Sequence, residues 1–413
     1  MGSFRDSMKL NPPYRFSGPG RQDATYSPLP HLTRETMDLQ PTQSAHGIDD
    51  LLKQAASISA TARSQAAGLD LDSCFPVETM RALAAAGLLA ASLPISRGGA
   101  GLAGPNGGSG MMRLLHVLGH GNLAVGRIFE AHVNAIRLVM RYGTSAQKRT
   151  AAQDVGAGLL FALWVTDASD APLQISPQGA AIVLTGAKSF CSAAGYADRA
   201  IVTATVDGKQ PSMLLLALNC GERVLQSGAA LHGMRAAITR RVDFSNCTVT
   251  SDALLGAPGD YLREPEFSTG AWRSSAVALG GLAALLALAR EQLIARGRDG
   301  DPHQRARLGR ATIAHHTGWL WLERAAAIAQ DDSANAMQAV AYVNLARTAV
   351  EAAAMEAVHC VQRSLGLAAF LQGSPVERVS RDLSTYLRQP APDEALDEAS
   401  GYFMTHAVPG EPR

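Results

Sequence analysis

The chain has 413 residues, with 37 Lys and Arg against 36 Asp and Glu, and 47% of its residues are hydrophobic. That size suits about two to three domains, and the apolar content excludes wholesale disorder. A net charge of +1 excludes a chain built to wrap nucleic acid, which needs a basic excess.

Residues 1–45 carry Asn11-Pro12-Pro13, Ser17-Gly18-Pro19-Gly20 and Pro28-Leu29-Pro30 without any period, and read as a disordered tail. The opening MGSFRDSMKL has no apolar signal core. Helical patterning begins at Ile48, where Asp49 and Asp50 favour a helix N-terminus. Phe75-Pro76 opens a second segment that Gly87 and Pro94 close. A glycine-rich loop over 96–110 follows, and the helical pattern resumes through MMRLLHVLGHGNLAVGRIFEAHVNAIRLVMRYG. Residues 46–157 therefore read as a helical domain.

At Gly158 the texture changes. LLFALWVTDAS, AAIVLTGAKSF, RAIVTATVDG, SMLLLALN and RRVDFSNCTVTS are short apolar or alternating runs, each bounded by Gly, Asp, Pro or Asn. They predict a small antiparallel β domain over 158–256. From 257 to 395 long segments return with apolar residues three and four apart, the pattern of a helical bundle, and 396–413 read as a C-terminal tail. The longest uncharged apolar run, Ala276–Ala289, is 14 residues. A membrane helix needs about 20, so no span is expected.

Five cysteines are scattered without CxxC spacing, so neither a disulfide framework nor a zinc cluster is expected, and a reducing cytoplasm is. His315 and His316 are neighbours and diverge on a helix by ~100°. His116 and His120 have the i, i+4 spacing but no acidic ligand beside them, so no metal site is expected. Ala-rich AVEAAAMEAVHCV is apolar on more than one side and calls for a partner, a homodimer or homotetramer.

Six motifs in order resemble the acyl-CoA dehydrogenase family: FPVETMRALAAAGLLAASLPISRGGAGL, YGTSAQKR, LWVTDASD, LTGAKSFCSAAGYAD, GMRAAITRRVDFSNCTVTSDALLG, and Gln362–Gly366 with Arg381-Asp382. The resemblance spans about residues 48–390. It implies a mainly α fold: an N-terminal helical domain, a central β barrel-like domain and a C-terminal four-helix bundle. It also implies FAD rather than FMN, held between domains and across a subunit interface.

By that resemblance Val165, Thr166, Phe190 and Ser192 meet the flavin ring, Phe190 offering a flat face and Ser192 a hydroxyl. Arg296 or Arg298, Gln362 and Gly366 would reach the cofactor of a second subunit, a guanidinium suiting its pyrophosphate. Leu365 and Ala368 stand where the family has glycine. Arg273 and His132 would line the substrate pocket.

The family's desaturases draw an α proton with a glutamate, which must be poised and desolvated. Its usual position here is Pro390, and its second known position is Trp272. Asp393 is the substitute expected from sequence, ahead of Glu394, Glu264 and Glu266. The leading expectation is α,β-desaturation of an acyl thioester, on CoA or a carrier protein, with an electron-accepting flavoprotein. The alternative is a flavin-dependent monooxygenase on the same fold, fed by a flavin reductase and using O2, which needs no such base. A degenerate, non-catalytic homologue is the third.

Overall fold

The structure is a computed structural model that describes residues 47–411, apart from 180, 207, 226–229 and 246. The tail expected at residues 1–45 lies outside the described residues. The first region holds helices α1 (Ile48–Leu71), α2 (Val77–Ala85), α3 (Gly108–Gly121), α4 (Leu123–Tyr142) and α5 (Ser145–Gly156). The pattern over 111–143 reads as one helical stretch, but Asn122 divides it. Its backbone is extended and its side chain accepts the Ala124 N–H, capping α4.

The YGTSAQKR motif earns its shape structurally. Thr144 and Gln147 form a reciprocal capping box at the start of α5. Gln147 Nε2 also donates to the carbonyls of Asp252 and Leu254, at 2.9 Å each, which ties this helix to the β region.

That region comprises β1 (Phe161–Trp164), β2 (Gln174–Gln178), β3 (Ala181–Thr185), β4 (Ala187–Cys191), β5 (Arg199–Ala204), β6 (Ser212–Ala217), β7 (Arg223–Leu225), β8 (Arg240–Asp243), β9 (Thr248–Thr250) and β10 (Leu254–Leu255). They form three small sheets, ordered β1-β5-β6-β10, β2-β3-β9 and β4-β8-β7. The pairing is antiparallel except for β1 with β5, which run parallel. Three strands lie between those two in sequence, the kind of long connection a parallel pair requires. Lys188 sits at the centre, fully buried. Its three donors are matched by Val165 O (2.7 Å), Asp167 Oδ1 (2.7 Å) and Thr203 Oγ1 (3.0 Å).

Two of the scattered cysteines meet here. The sulfurs of Cys220 and Cys247 stand 2.8 Å apart with Glu222 beside them. Thiolates on one tetrahedral zinc, each about 2.3 Å from the ion, would stand farther apart, so the geometry is a direct sulfur contact.

The chain then forms α6 (Glu266–Thr269), α7 (Trp272–Ala295), α8 (Pro302–Ile328), α9 (Ala336–Leu365), α10 (Pro375–Tyr386) and α11 (Pro392–Phe403). Helix α11 runs through the boundary expected at 395/396, with Pro392 in its first turn and Ala395 and Ala399 buried one turn apart. Residues Glu266–Ala295 are long and apolar enough to cross a membrane by length and composition. Residues on every side of α7 are buried within the bundle, which accounts for its composition as a core helix.

Candidate active site

Helix α4 is apolar around most of its surface, yet Arg127, Glu130, Asn134, Arg137 and Arg141 recur on it at steps of three and four. That spacing puts them on one face. The last four line a cavity of about 870 Å³. Its other walls are the loop around residues 101–105, the start of α6 and α7, the turn between α8 and α9, Asn344 and Arg347 on α9, and residues 389–391.

The polar groups in this wall are chained together. Arg127 and Asn134 both donate to Glu130, and Arg273 Nε donates to Asn134 Oδ1. Glu266 pairs with Arg141 at 2.6 Å, and Arg347 donates to the Pro390 carbonyl. Arg273 is 4% exposed and its Nη1 has no hydrogen-bond partner. Burial, then the neighbouring charge of Arg137, holds its pKa well below the usual arginine range, against an opposing pull from Glu130. Arg137 is lowered too, by burial first, with Glu266 opposing and Arg141 reinforcing.

The candidate bases separate clearly. Pro390 lines the cavity, and Trp272 is fully buried outside it, so neither family position offers a carboxylate. Asp393 is exposed in the first turn of α11 and does not line the cavity; neither does Glu394. Glu264 is turned to Ser268, accepting from its Oγ at 2.6 Å and its N–H at 3.2 Å. Of the sequence candidates only Glu266 reaches the cavity. Glu130 was missed. Its signal was the polar stripe on an otherwise apolar helix.

Comparison with known proteins places this architecture. Residues 50–158 match the acyl-CoA dehydrogenase N-terminal domain. The human mitochondrial short-chain specific acyl-CoA dehydrogenase is 27% identical over 210 residues, 47% of this chain and 49% of that protein, so the match spans about half the length of the relative. Butyryl-CoA dehydrogenase from Megasphaera elsdenii superposes with a TM-score of 0.77 at 20% identity, covering 89% of this chain and 100% of that one. The dibenzothiophene monooxygenase of Paenibacillus sp. A11-2, in its FMN-bound form, gives 0.77 at 19% identity over 87% and 98%.

The chain has the acyl-CoA dehydrogenase fold.

Within that fold the residues expected at the flavin ring lie in and beside β1 and β4. Phe190 is 56% exposed and takes a left-handed backbone (φ +56°) at the bulge where the β4–β8 register shifts between Lys188 and Cys191. A bulky residue held this way is strained, and a ring turned to solvent offers a free flat face. Thr166 is half-buried with no hydrogen bond to its hydroxyl among the described residues, and Ser192 Oγ meets Thr239 Oγ1 at 3.3 Å. Val165 is different: its carbonyl is occupied by Lys188 and by Thr203 Oγ1 (3.1 Å). That oxygen faces the interior of the β region and is not free for a ligand.

Arg296, Arg298 and Gly366 are exposed, Gln362 is half-buried, and none of them lines the cavity. Arg296 donates to Gln292 (3.0 Å) and Arg298 to Asp301 (2.8 Å). Gly366, in the left-handed region (φ +61°), ends α9 beside exposed Leu367, Phe370 and Leu371.

His132 does not line the cavity, which corrects its expected role. It is fully buried, its Nδ1 accepts the Phe161 N–H (3.0 Å), and its Nε2 lies 2.9 Å from the Leu89 carbonyl. Those partners fix the neutral tautomer with the proton on Nε2. Burial pushes its pKa down from 6.5 to about 4, the Leu89 bond opposing. An unfolded chain takes up this proton below about pH 6.5, while the folded one resists it until about pH 4. Stability should therefore fall across that window as pH drops, by up to about 3 kcal/mol. Urea unfolding of wild type and His132→Gln between pH 7 and pH 4 checks this: the variant should lose that part of the slope.

Proposed function

We propose that this protein is a flavin-dependent oxygenase built on the acyl-CoA dehydrogenase fold, acting on an organic substrate held in the cavity of α4, α7 and α9. One observation carries the reading. Among the described residues, the carboxylates buried or half-buried in the cavity wall are Glu130 and Glu266, and each is held by arginine. Asp331 and Asp332 are exposed on the turn between α8 and α9. A desaturase needs a carboxylate free to take an α proton in a desolvated site. An oxygenase does not.

Bound flavin would supply the two-electron chemistry and the activation of O2. The chain's own part is to hold it and to shape the space beside it. Phe190 offers a stacking face, and the Thr166 and Ser192 hydroxyls offer hydrogen bonds at the ring edge. FMN joins FAD as a candidate cofactor, since FMN is the flavin in the monooxygenase structure compared above. Reduced flavin would come from a reductase partner. The exposed apolar run Leu367, Phe370 and Leu371 supports a homo-oligomer in which Gln362 and Gly366 approach a second copy.

Phe190→Ala should weaken FMN or FAD binding about tenfold, the worth of one aromatic stack, without changing the fold. Quenching of flavin fluorescence on titration measures it; equal affinity removes Phe190 from the site. A second reading, α,β-desaturation of an acyl thioester, is favoured by Glu266 alone, which reaches the cavity just upstream of Trp272. It requires Arg141 to release that carboxylate, so Arg141→Met should raise any desaturase activity.

A further inference from the structure

We propose that Arg137 and Arg273 form an anion clamp in the cavity wall, and that the substrate of this site carries a carboxylate which the two guanidiniums receive. The inference rests on the cavity being the substrate site, and it names the substrate class.

The positive charge of this wall is only partly matched. Four arginines line the cavity. Arg141 is neutralised by Glu266, and Arg347 is anchored on the Pro390 carbonyl with the charges of Glu351 and Glu394 acting on it. Glu130, the remaining buried carboxylate of the wall, is committed to Arg127 and Asn134. Arg273 therefore hydrogen-bonds only the neutral Asn134 and Arg137 makes no ion pair among the described residues; the carboxylates nearest them, Glu130 and Glu266, are already committed to Arg127 and Arg141. Burying a cation whose nearest carboxylate is shared with another arginine is costly, and the cost is relieved when an anion binds.

The geometry says where that anion sits. Arg273 comes from the first turn of α7 and Arg137 from the middle of α4, so the two cations approach from different helices on one cavity. Arg273 Nη1 is buried, lacks a partner and belongs to a cavity-lining side chain. Asn344, 2% exposed on the α9 wall, likewise has an unpartnered Nδ2. A carboxylate has two oxygens and about four acceptor sites, enough for fork-shaped donors from both sides. Leu138, Met140, Leu163 and Ile328 add apolar wall. An alkyl or aryl chain ending in a carboxylate complements both features.

The test is calorimetric titration of the purified full chain with hexanoate, with its neutral amide hexanamide, and with inorganic phosphate. Hexanoate should bind at least about tenfold more tightly than hexanamide, the worth of a charge-assisted contact. Arg273→Met and Arg137→Met should each weaken hexanoate about tenfold and leave hexanamide unchanged. If Arg273→Met does not fold by circular dichroism, Arg273→Lys and Arg137→Met decide the matter. Equal affinity for hexanoate and hexanamide would overturn the proposal, as would hexanoate binding unchanged in both variants. Phosphate binding more tightly than hexanoate would overturn the carboxylate assignment. Displacement of hexanoate by FMN one for one would assign the pair to the cofactor and overturn it too. The flavin titration of Phe190→Ala reads the oxygenase proposal separately, so the two can fail independently.

Discussion

Arg381→Met should destabilise the folded chain by about 3–5 kcal/mol, the cost of leaving a buried carboxylate without its partner. Arg381 lies in α10, 7% exposed, and joins three parts of the chain. Its Nη2 reaches Asp70 of α1 at 2.6 Å, its Nε reaches Glu377 at 2.7 Å, and its Nη1 reaches the His232 carbonyl at 2.9 Å. Burial alone would lower its pKa, but the bonds to Asp70 and Glu377 more than offset that and raise it. The next residue completes the joint: Asp382 Oδ1 accepts the Met234 N–H at 2.6 Å. Gly233 packs so closely that a Cβ there would fall 2.6 Å from the Arg381 carbonyl. The Arg-Asp and Gly-Met-Arg motifs thus meet as a clamp between the helical regions and the β region. Urea denaturation of Arg381→Met and Asp70→Asn, alone and together, checks it. The double variant should lose less than the sum of the singles, because each single already breaks the same bond.

Gly280→Ala should cost about 2–3 kcal/mol or more, although it adds one methyl group to a helix. Where α3 crosses α7, a Cβ on Gly280 would stand 2.1 Å from the His116 carbonyl, and one on Gly119 would stand 2.2 Å from the Val277 carbonyl. Backbone cannot rotate away as a side chain tip can, so the two helices must separate. They would then lose close packing along a core interface. Gly309→Ala is the control: Gly309 is exposed on α8, and a Cβ there would have nothing within 4 Å. It should be stabilising by up to about 1 kcal/mol, from helix propensity alone. Thermal melts of the two variants should therefore move in opposite directions.

The order of helical, β and helical regions was legible because hydrophobic period changes at Gly158 and again before α7, and period is a local property. The break at Asn122 was less so, since a single capping residue interrupts two helices of the same pattern. The vacancy at Pro390 and Trp272 followed from counting along the chain. Which acid replaces it did not. Asp393 is near the motif in sequence but exposed on α11, whereas Glu130 and Glu266 are brought to the cavity by helix packing. Val165 shows the same limit: nothing local says that its carbonyl is taken by Lys188 from another strand. Ion pairs such as Arg141 with Glu266 decide what a wall can do, and their partners are set by the fold.

On the oxygenase reading proposed above, neither Glu130 nor Glu266, the carboxylates buried or half-buried in this cavity among the described residues, is free to draw an α proton, and bound flavin would be reduced from outside. The most direct test is the visible flavin band of the flavin-loaded protein, followed without oxygen as short-, medium- and long-chain acyl-CoAs are added. The band should persist with every thioester, disappear only when NADH and a flavin reductase are supplied, and return when O2 is admitted. Bleaching by any acyl-CoA in the absence of the reductase would contradict the account.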